Sequence, residues 1–228
     1  VLPAPRRLIT YNTDVSNKVL RVPISSGAVI SMDPQALAKA RSRLRVASKA
    51  LSDLESIKNY DDFIDIWYVL LTASKNFYTI LEQGSKISAQ SRQWYGAKKQ
   101  ERRSDPLLRY MYEARNDDEH GLNLGSEDVP GSLAIGVNKP GFSSAMSISG
   151  TFGPGGNLSV KSLDGKPVLV EQTLPHARLI SVRDRSNVEY KPPTEHKGQP
   201  LESNLPLPVA KLMVAHLETM IVQAQALA

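Results

Sequence analysis

Residues 33–121 set the tightest limit on what this chain can fold into, because apolar residues recur there at helical spacing between explicit start signals. Asp33-Pro34 is such a start, a carboxylate able to cap free N–H groups followed by proline at the first helical position. From it Leu37, Ala40, Leu44, Ala47, Leu51 and Leu54 alternate in steps of three and four, one apolar face of a long helix ending near Asn59. Asp61-Asp62 opens a second and more apolar helix, with Phe63, Ile66, Trp67, Leu70, Ser74, Phe77 and Leu81 inward and Gly84 as its stop. A shorter polar helix over 86–103 is expected to turn Ile87, Trp94 and Ala97 inward. Asp105-Pro106 repeats the start device, and a fourth helix with a stripe of Leu107, Tyr110, Met111 and Ala114 runs to Gly121.

Beyond Gly121 the pattern changes. GSEDVPGS (125–132) reads as linker, and SLAIGV, FSSAMSISGTF, NLSVKSL, KPVLVEQTL and ARLISVR read as short antiparallel strands. GPGGN (153–157) and LDGK (163–166) are turn sequences, and EYKPPTEHKGQP (189–200) is a proline-rich loop. The last stretch returns to helical spacing through Val209, Leu212, Met213, His216, Leu217 and Met220, a helix that docks back onto the body. One strand is expected near Val19–Val22 in an otherwise irregular start. The expectation is an α+β fold: an antiparallel bundle of about four helices, a small antiparallel β-layer and a C-terminal helix. Its parts are 1–32 (irregular), 33–124 (helical bundle), 125–200 (β-rich) and 201–228 (final helix).

Composition narrows the function classes. With 41% hydrophobic and 22% charged residues over 228 positions, the chain has the apolar content to bury a core. It has no cysteine, which excludes disulfides, zinc–thiolate sites and a cysteine nucleophile. That suits the cytoplasm, and no apolar run is long enough to span a bilayer. The four histidines lack the spacing of a helical metal pair, so neither a metal nor another cofactor is expected. GTFGPGGN is followed by a strand-like stretch instead of a helix, which makes it a hairpin turn and not a phosphate loop. His216 is expected inside, hydrogen-bonded, whereas His196 lies in a loop, where functional histidines are commoner.

Charge is segregated. Residues 86–103 carry a local net charge of +5 and residues 113–128 a local −5. Either the two segments neutralise each other, or Arg92, Lys98, Lys99, Arg102 and Arg103 form an RNA-binding surface beside Trp94 and Tyr95. Trp94 shares a helical face with Ile87 and Ala97, which favours packing over stacking on a base.

The densest chemistry is the run Arg115-Asn116-Asp117-Asp118-Glu119-His120. Arginine, a polar residue and a histidine five positions on, late in the fourth helix of such a series, resemble the HEPN superfamily of helical RNA-cleaving domains. The resemblance covers roughly residues 33–121. It implies a metal-independent endoribonuclease, toxin- or defence-related, working through attack of the RNA 2′-hydroxyl. His120 would act as general acid or base, Arg115 as phosphate ligand and Asn116 as the residue orienting the imidazole. It also implies a homodimer with two facing motifs, and an antitoxin or other partner protein. Histidine titrates near neutrality and arginine offers a planar fork to phosphate oxygens, so the residue types suit the chemistry. The alternative is a non-enzymatic scaffold that binds a ligand or partner. There Arg115 pairs with Asp118 or Glu119, and His120 complements the helix dipole. Three acids beside a phosphate-handling arginine weigh against catalysis, so their orientation separates the two readings.

Overall fold

The computed structural model describes residues 32–121, 125–137, 146–151, 158–164 and 168–227. Four helices form its first half: α1 (Pro34–Leu54), α2 (Tyr60–Gly84), α3 (Ala89–Ser104) and α4 (Pro106–His120), with a single 3-10 turn at Ser85–Ile87 between α2 and α3. Their starts follow the expected chemistry. The Asp33 side chain accepts from the backbone N–H groups of Gln35 and Ala36, and that of Asp105 from Leu108, with proline next in both helices. The α2 start lies at Asn59, whose side chain accepts from the Asp62 N–H at 2.8 Å.

The expected apolar stripes of α1, α2 and α4 are the ones that pack. Leu37, Ala40, Ala47 and Leu54 meet Phe63, Trp67, Leu70, Phe77 and Leu81, and Leu107, Tyr110, Met111 and Ala114 close the core from α4. Helix α3 departs from expectation. Ile87 is 51% exposed and Ala97 lies at the surface, while Ser91, Tyr95 and Arg102 face inward. The cause is polar: the Tyr95 hydroxyl donates to the Tyr78 carbonyl at 2.9 Å, and the Ser91 hydroxyl to the Ser85 carbonyl at 2.7 Å. Trp94 is half-buried against the core edge. Gly84 does not stop α2 in a left-handed turn either, since its φ of −65° is ordinary helix. A Cβ there would overlap the Cβ of Ala36, so the glycine permits close approach of α2 to the start of α1.

Among the described residues ten short strands follow: β1 (Ser126–Val129), β2 (Ser132–Val137), β3 (Met146–Gly150), β4 (Leu158–Ser162), β5 (Val168–Thr173), β6 (His176–Leu179), β7 (Val182–Arg183), β8 (Glu189–Tyr190), β9 (Glu195–His196) and β10 (Gln199–Pro200). Among the described residues they form five separate antiparallel pairs, β1–β6, β2–β5, β3–β4, β7–β8 and β9–β10, and not one continuous layer. The segment expected as linker supplies β1, whose Ser126 hydroxyl meets that of Tyr60 at 3.1 Å. The expected proline-rich loop instead holds β8 and the β9–β10 hairpin, turned by Lys197 (φ 51°) and Gly198 (φ 72°) in the left-handed conformations such a tight turn needs. β3 and β4 pair across GPGGN, which itself lies outside the described residues, as does the strand expected near Val19–Val22.

Helix α5 (Pro206–Gln225) closes the molecule. Val209, Met213, His216, Leu217 and Met220 are buried, in one core with α1, α2 and α4, and Leu212 packs at its margin. Among the described residues no helix is long and apolar enough to cross a membrane.

Candidate functional site

Helix α4 carries the Arg-Asn run along a groove it shares with α2. On α2, Tyr68, Thr72, Lys75, Thr79 and Glu82 recur at steps of three and four, which makes one face. Arg115 turns onto this face and is 7% exposed. Its Nε donates to the Thr72 hydroxyl at 2.8 Å, and its guanidinium carbon lies 5.0 Å from the centre of the Tyr68 ring. Nη1 is ion-paired at 3.6 Å with both an Asp118 and a Glu119 carboxylate oxygen, too far for a hydrogen bond, and is buried without a hydrogen-bond partner among the described residues. Asn116, one position on, points elsewhere and donates to the Glu113 carboxylate at 2.8 Å. His120 is the last residue of α4, and its side chain lies outside the described residues.

The three acids have separate employments. Asp117 is 8% exposed and accepts from the backbone N–H of Arg183 at 3.1 Å, fastening β7 to α4. Asp118 stays beside Arg115, and burial pushes its carboxyl up, with Arg115 opposing and the charges of Asp117 and Glu119 adding to the rise. Glu119 takes Lys75 at 2.6 Å. Asp118 and Glu119 are thus countered by Arg115 and by Lys75 of α2, Asp117 is held by the β7 backbone, and these pairings do not involve the basic segment of α3.

That basic segment does not present one surface. Arg92 donates to the Lys86 carbonyl at 2.8 Å, and Lys98 pairs with Glu101 at 2.7 Å on its own helix. Lys99 reaches Glu82 of α2 at 2.8 Å. Arg102 is 7% exposed, its guanidinium 3.9 Å from the ring centre of Tyr112 and 4.8 Å from that of Tyr78. Only Lys99, Arg102 and Arg103 converge, and they do so on a cavity of about 510 Å³ that Arg92 and Lys98 do not line. The rest of its wall comes from Thr79 and Glu82, from Arg109, Tyr112 and Glu113 of α4, and from Asp184 and Tyr190 of the β7–β8 hairpin. Arg115 and Asn116 are not among its lining residues. The cavity and the Arg115 cluster therefore sit at opposite ends of the α2–α4 groove. Thr72 and Thr79 are two helical turns apart, about 10 Å.

The sequence reading missed Arg109, Tyr112, Asp184 and Tyr190. A signal existed for the first two, since Arg109, Tyr112 and Glu113 share one polar face of α4 at helical spacing. None existed for the hairpin, whose Tyr190 hydroxyl accepts from Arg109 at 2.8 Å across 81 residues and donates to Asp184 at 2.9 Å.

A second polar cluster lies behind the cavity. Asp105 accepts from the Leu108 N–H at 3.0 Å and the Lys197 N–H at 2.7 Å, and its two oxygens lie 3.0 and 3.1 Å from His196 Nδ1. His196 is therefore a tie between the β9–β10 hairpin and the start of α4. Burial acts against the Asp105 charge, but the two N–H donors and His196 hold its carboxyl below the usual range. His216 is 2% exposed, and neither ring nitrogen has a hydrogen bond among the described residues, against the expectation of a bonded interior histidine. Its ring centre lies 6.3 Å from that of Tyr78 and 6.2 Å from that of His196, and its Nδ1 is 3.8 Å from Glu101. Burial pulls its pKa down to about 4, with the Glu101 carboxylate working the other way. Among the described residues no three histidine, aspartate or glutamate side chains are placed to hold a metal.

No protein-family model, curated protein or solved structure matches this chain.

Proposed function

We propose that this protein is a non-enzymatic binding scaffold, a helical body whose α2–α4 groove presents a ligand site. The observation that carries this reading is the environment of Arg115. Its guanidinium is sequestered by Thr72 and Tyr68 with Asp118 and Glu119 beside it, so a phosphate approaching it meets two carboxylates first. Asn116 is bonded to Glu113, and an orienting role toward His120 would require that bond to break.

A second reading is a metal-independent, HEPN-like endoribonuclease in which His120 moves the proton, Arg115 holds the phosphate and Asn116 orients the imidazole. It would be homodimeric, acting on RNA and held in check by an antitoxin or other partner. What favours it is Arg115 Nη1, a buried donor with no hydrogen-bond partner among the described residues at the end of the fourth helix. One experiment separates the readings: purified protein is incubated with mixed RNA, with and without chelator, beside Arg115→Ala and His120→Ala. The scaffold reading expects no cleavage by any of the three proteins. Chelator-resistant cleavage by the wild type, lost in both variants, would overturn it and establish the nuclease.

A further inference from the structure

We infer that the cavity between α3, α4 and the β7–β8 hairpin is a binding site for a small organic phosphate, held as a dianionic phosphomonoester. The inference deepens the scaffold reading by naming what the groove takes. Its starting point is Arg102, a guanidinium more than nine-tenths buried that lines the cavity and forms no ion pair among the described residues. Buried charges are ordinarily paired. Arg102 has instead the rings of Tyr78 and Tyr112 and, beside them, the Tyr95 hydroxyl. Aromatic faces attract a cation but accept no hydrogen bonds in its plane, so they orient the guanidinium without supplying a counter-ion.

Two more arginines stand at the same cavity. Arg103 is exposed and has no partner among the described residues, and Arg109 donates to the Tyr190 hydroxyl while lying 4.5 Å over that ring. The three carboxylates in the wall are already engaged. Glu82 takes Lys99, and Glu113 takes Asn116. Asp184 takes the N–H groups of Ser186 and Val188 and the Tyr190 hydroxyl, bonds that keep its carboxyl below the usual range. None of them neutralises Arg102, Arg103 or Arg109 by an ion pair.

Three guanidinium groups arriving from two helices suit an anion with three terminal oxygens and two charges better than a planar carboxylate with two oxygens and one charge. The cavity volume of about 510 Å³ is room for a ligand of sugar-phosphate size. Hydroxyls on Thr79, Tyr112 and Tyr190, with the rim carboxylates, would meet a polyhydroxylated body.

The test is titration calorimetry at fixed ionic strength with ribose 5-phosphate, unphosphorylated ribose, inorganic phosphate, acetate and a 5′-phosphorylated RNA tetramer. Saturable one-to-one binding of ribose 5-phosphate, with ribose and acetate silent, is the expected result, and inorganic phosphate should bind more weakly. Arg103→Ala and Arg109→Ala, both at exposed positions, should each weaken binding about tenfold. Lys39→Ala removes an exposed charge on α1, a helix that contributes no lining residue to the cavity, and should leave binding unchanged; thermal unfolding would establish that each variant is folded. No saturable binding of ribose 5-phosphate, binding of the tetramer alone, or equal losses in all three variants would overturn the site. The nuclease assay is independent of these outcomes. RNA cleavage would sink the scaffold reading and leave this site standing, whereas absent binding would sink this site alone.

Discussion

Acidification from pH 7.5 to 5 should unfold this protein more readily, and His216 should account for most of the change. In the unfolded chain the imidazole takes a proton near pH 6.5, whereas burial holds it neutral in the fold down to about pH 4. Between those values the unfolded state binds more protons, so stability rises with pH. The contribution is fully present above pH 6.5 and is lost as pH falls toward 4. A depression of that size corresponds to about 3 kcal/mol in full and about 2 kcal/mol at pH 5. The groups facing His216 are Glu101 and Lys98 of α3, Asp105 at the start of α4, Tyr78 of α2, and His196 and Lys197 of the β9–β10 hairpin. Glu101 and Asp105 both titrate below the usual carboxylate range, so they stay ionised through this window and leave the slope to the histidine. Burial works against the Glu101 charge, and the bond and charge of Lys98 work for it. The assay is urea unfolding of wild type and His216→Leu at both pH values, since the difference of differences cancels the other titrating groups. The leucine variant removes two ring nitrogens that have no hydrogen bond among the described residues, so at pH 7.5 it should be near neutral or slightly stabilising. A wild-type loss within about 0.5 kcal/mol of the variant's loss would refute the reasoning.

Arg115→Ala should lower stability by about 2 kcal/mol, because it leaves Asp118 partly buried without its cation and opens space against Tyr68; chemical denaturation reads this directly. Gly84→Ala puts a Cβ into that of Ala36 and should cost about 1–3 kcal/mol, visible as a lower melting temperature, and an unchanged melting temperature would contradict the packing described. Asp105→Ala removes the α4 cap and the tie to His196 and Lys197 together, and should cost about 2 kcal/mol or more by the same measurement.

What was legible in the sequence is what repeats locally. Helices α1, α2 and α4 announced themselves because their cores recur every three or four residues, and α1 and α4 also because Asp33 and Asp105 cap their starts; the Asn59 cap of α2 was instead read as the end of α1. Helix α3 concealed its inward face because that face is chosen by hydrogen bonds from Tyr95 and Ser91, which hydropathy does not see. Strands β2–β7 were found as runs, whereas β1 was read as linker and β8–β10 as loop. Strand partners were not found, since a ladder such as β1–β6 joins residues some fifty positions apart through backbone groups common to all sequences. The acids between Arg115 and His120 were flagged, yet no spacing rule could say that Asp117 would anchor β7 or that Glu119 would find Lys75. The candidate cavity was half visible for the same reason. Its α3 residues stood in a conspicuous basic run, whereas Tyr190 and Asp184 arrive from a hairpin whose place is set only by tertiary packing.

The tie at Asp105 has a kinetic meaning. Helices α1 to α4 are joined by short connections and can associate early, but the bonds from Asp105 to His196 and Lys197 close a loop of 91 and 92 residues. Such a closure follows formation of the bodies it joins, so it belongs to the downhill side of the folding barrier. Severing it should leave the refolding rate almost untouched and appear as faster unfolding. The carboxylate that starts α4 thus acts, late in folding, as the latch that sets how long the native state lasts.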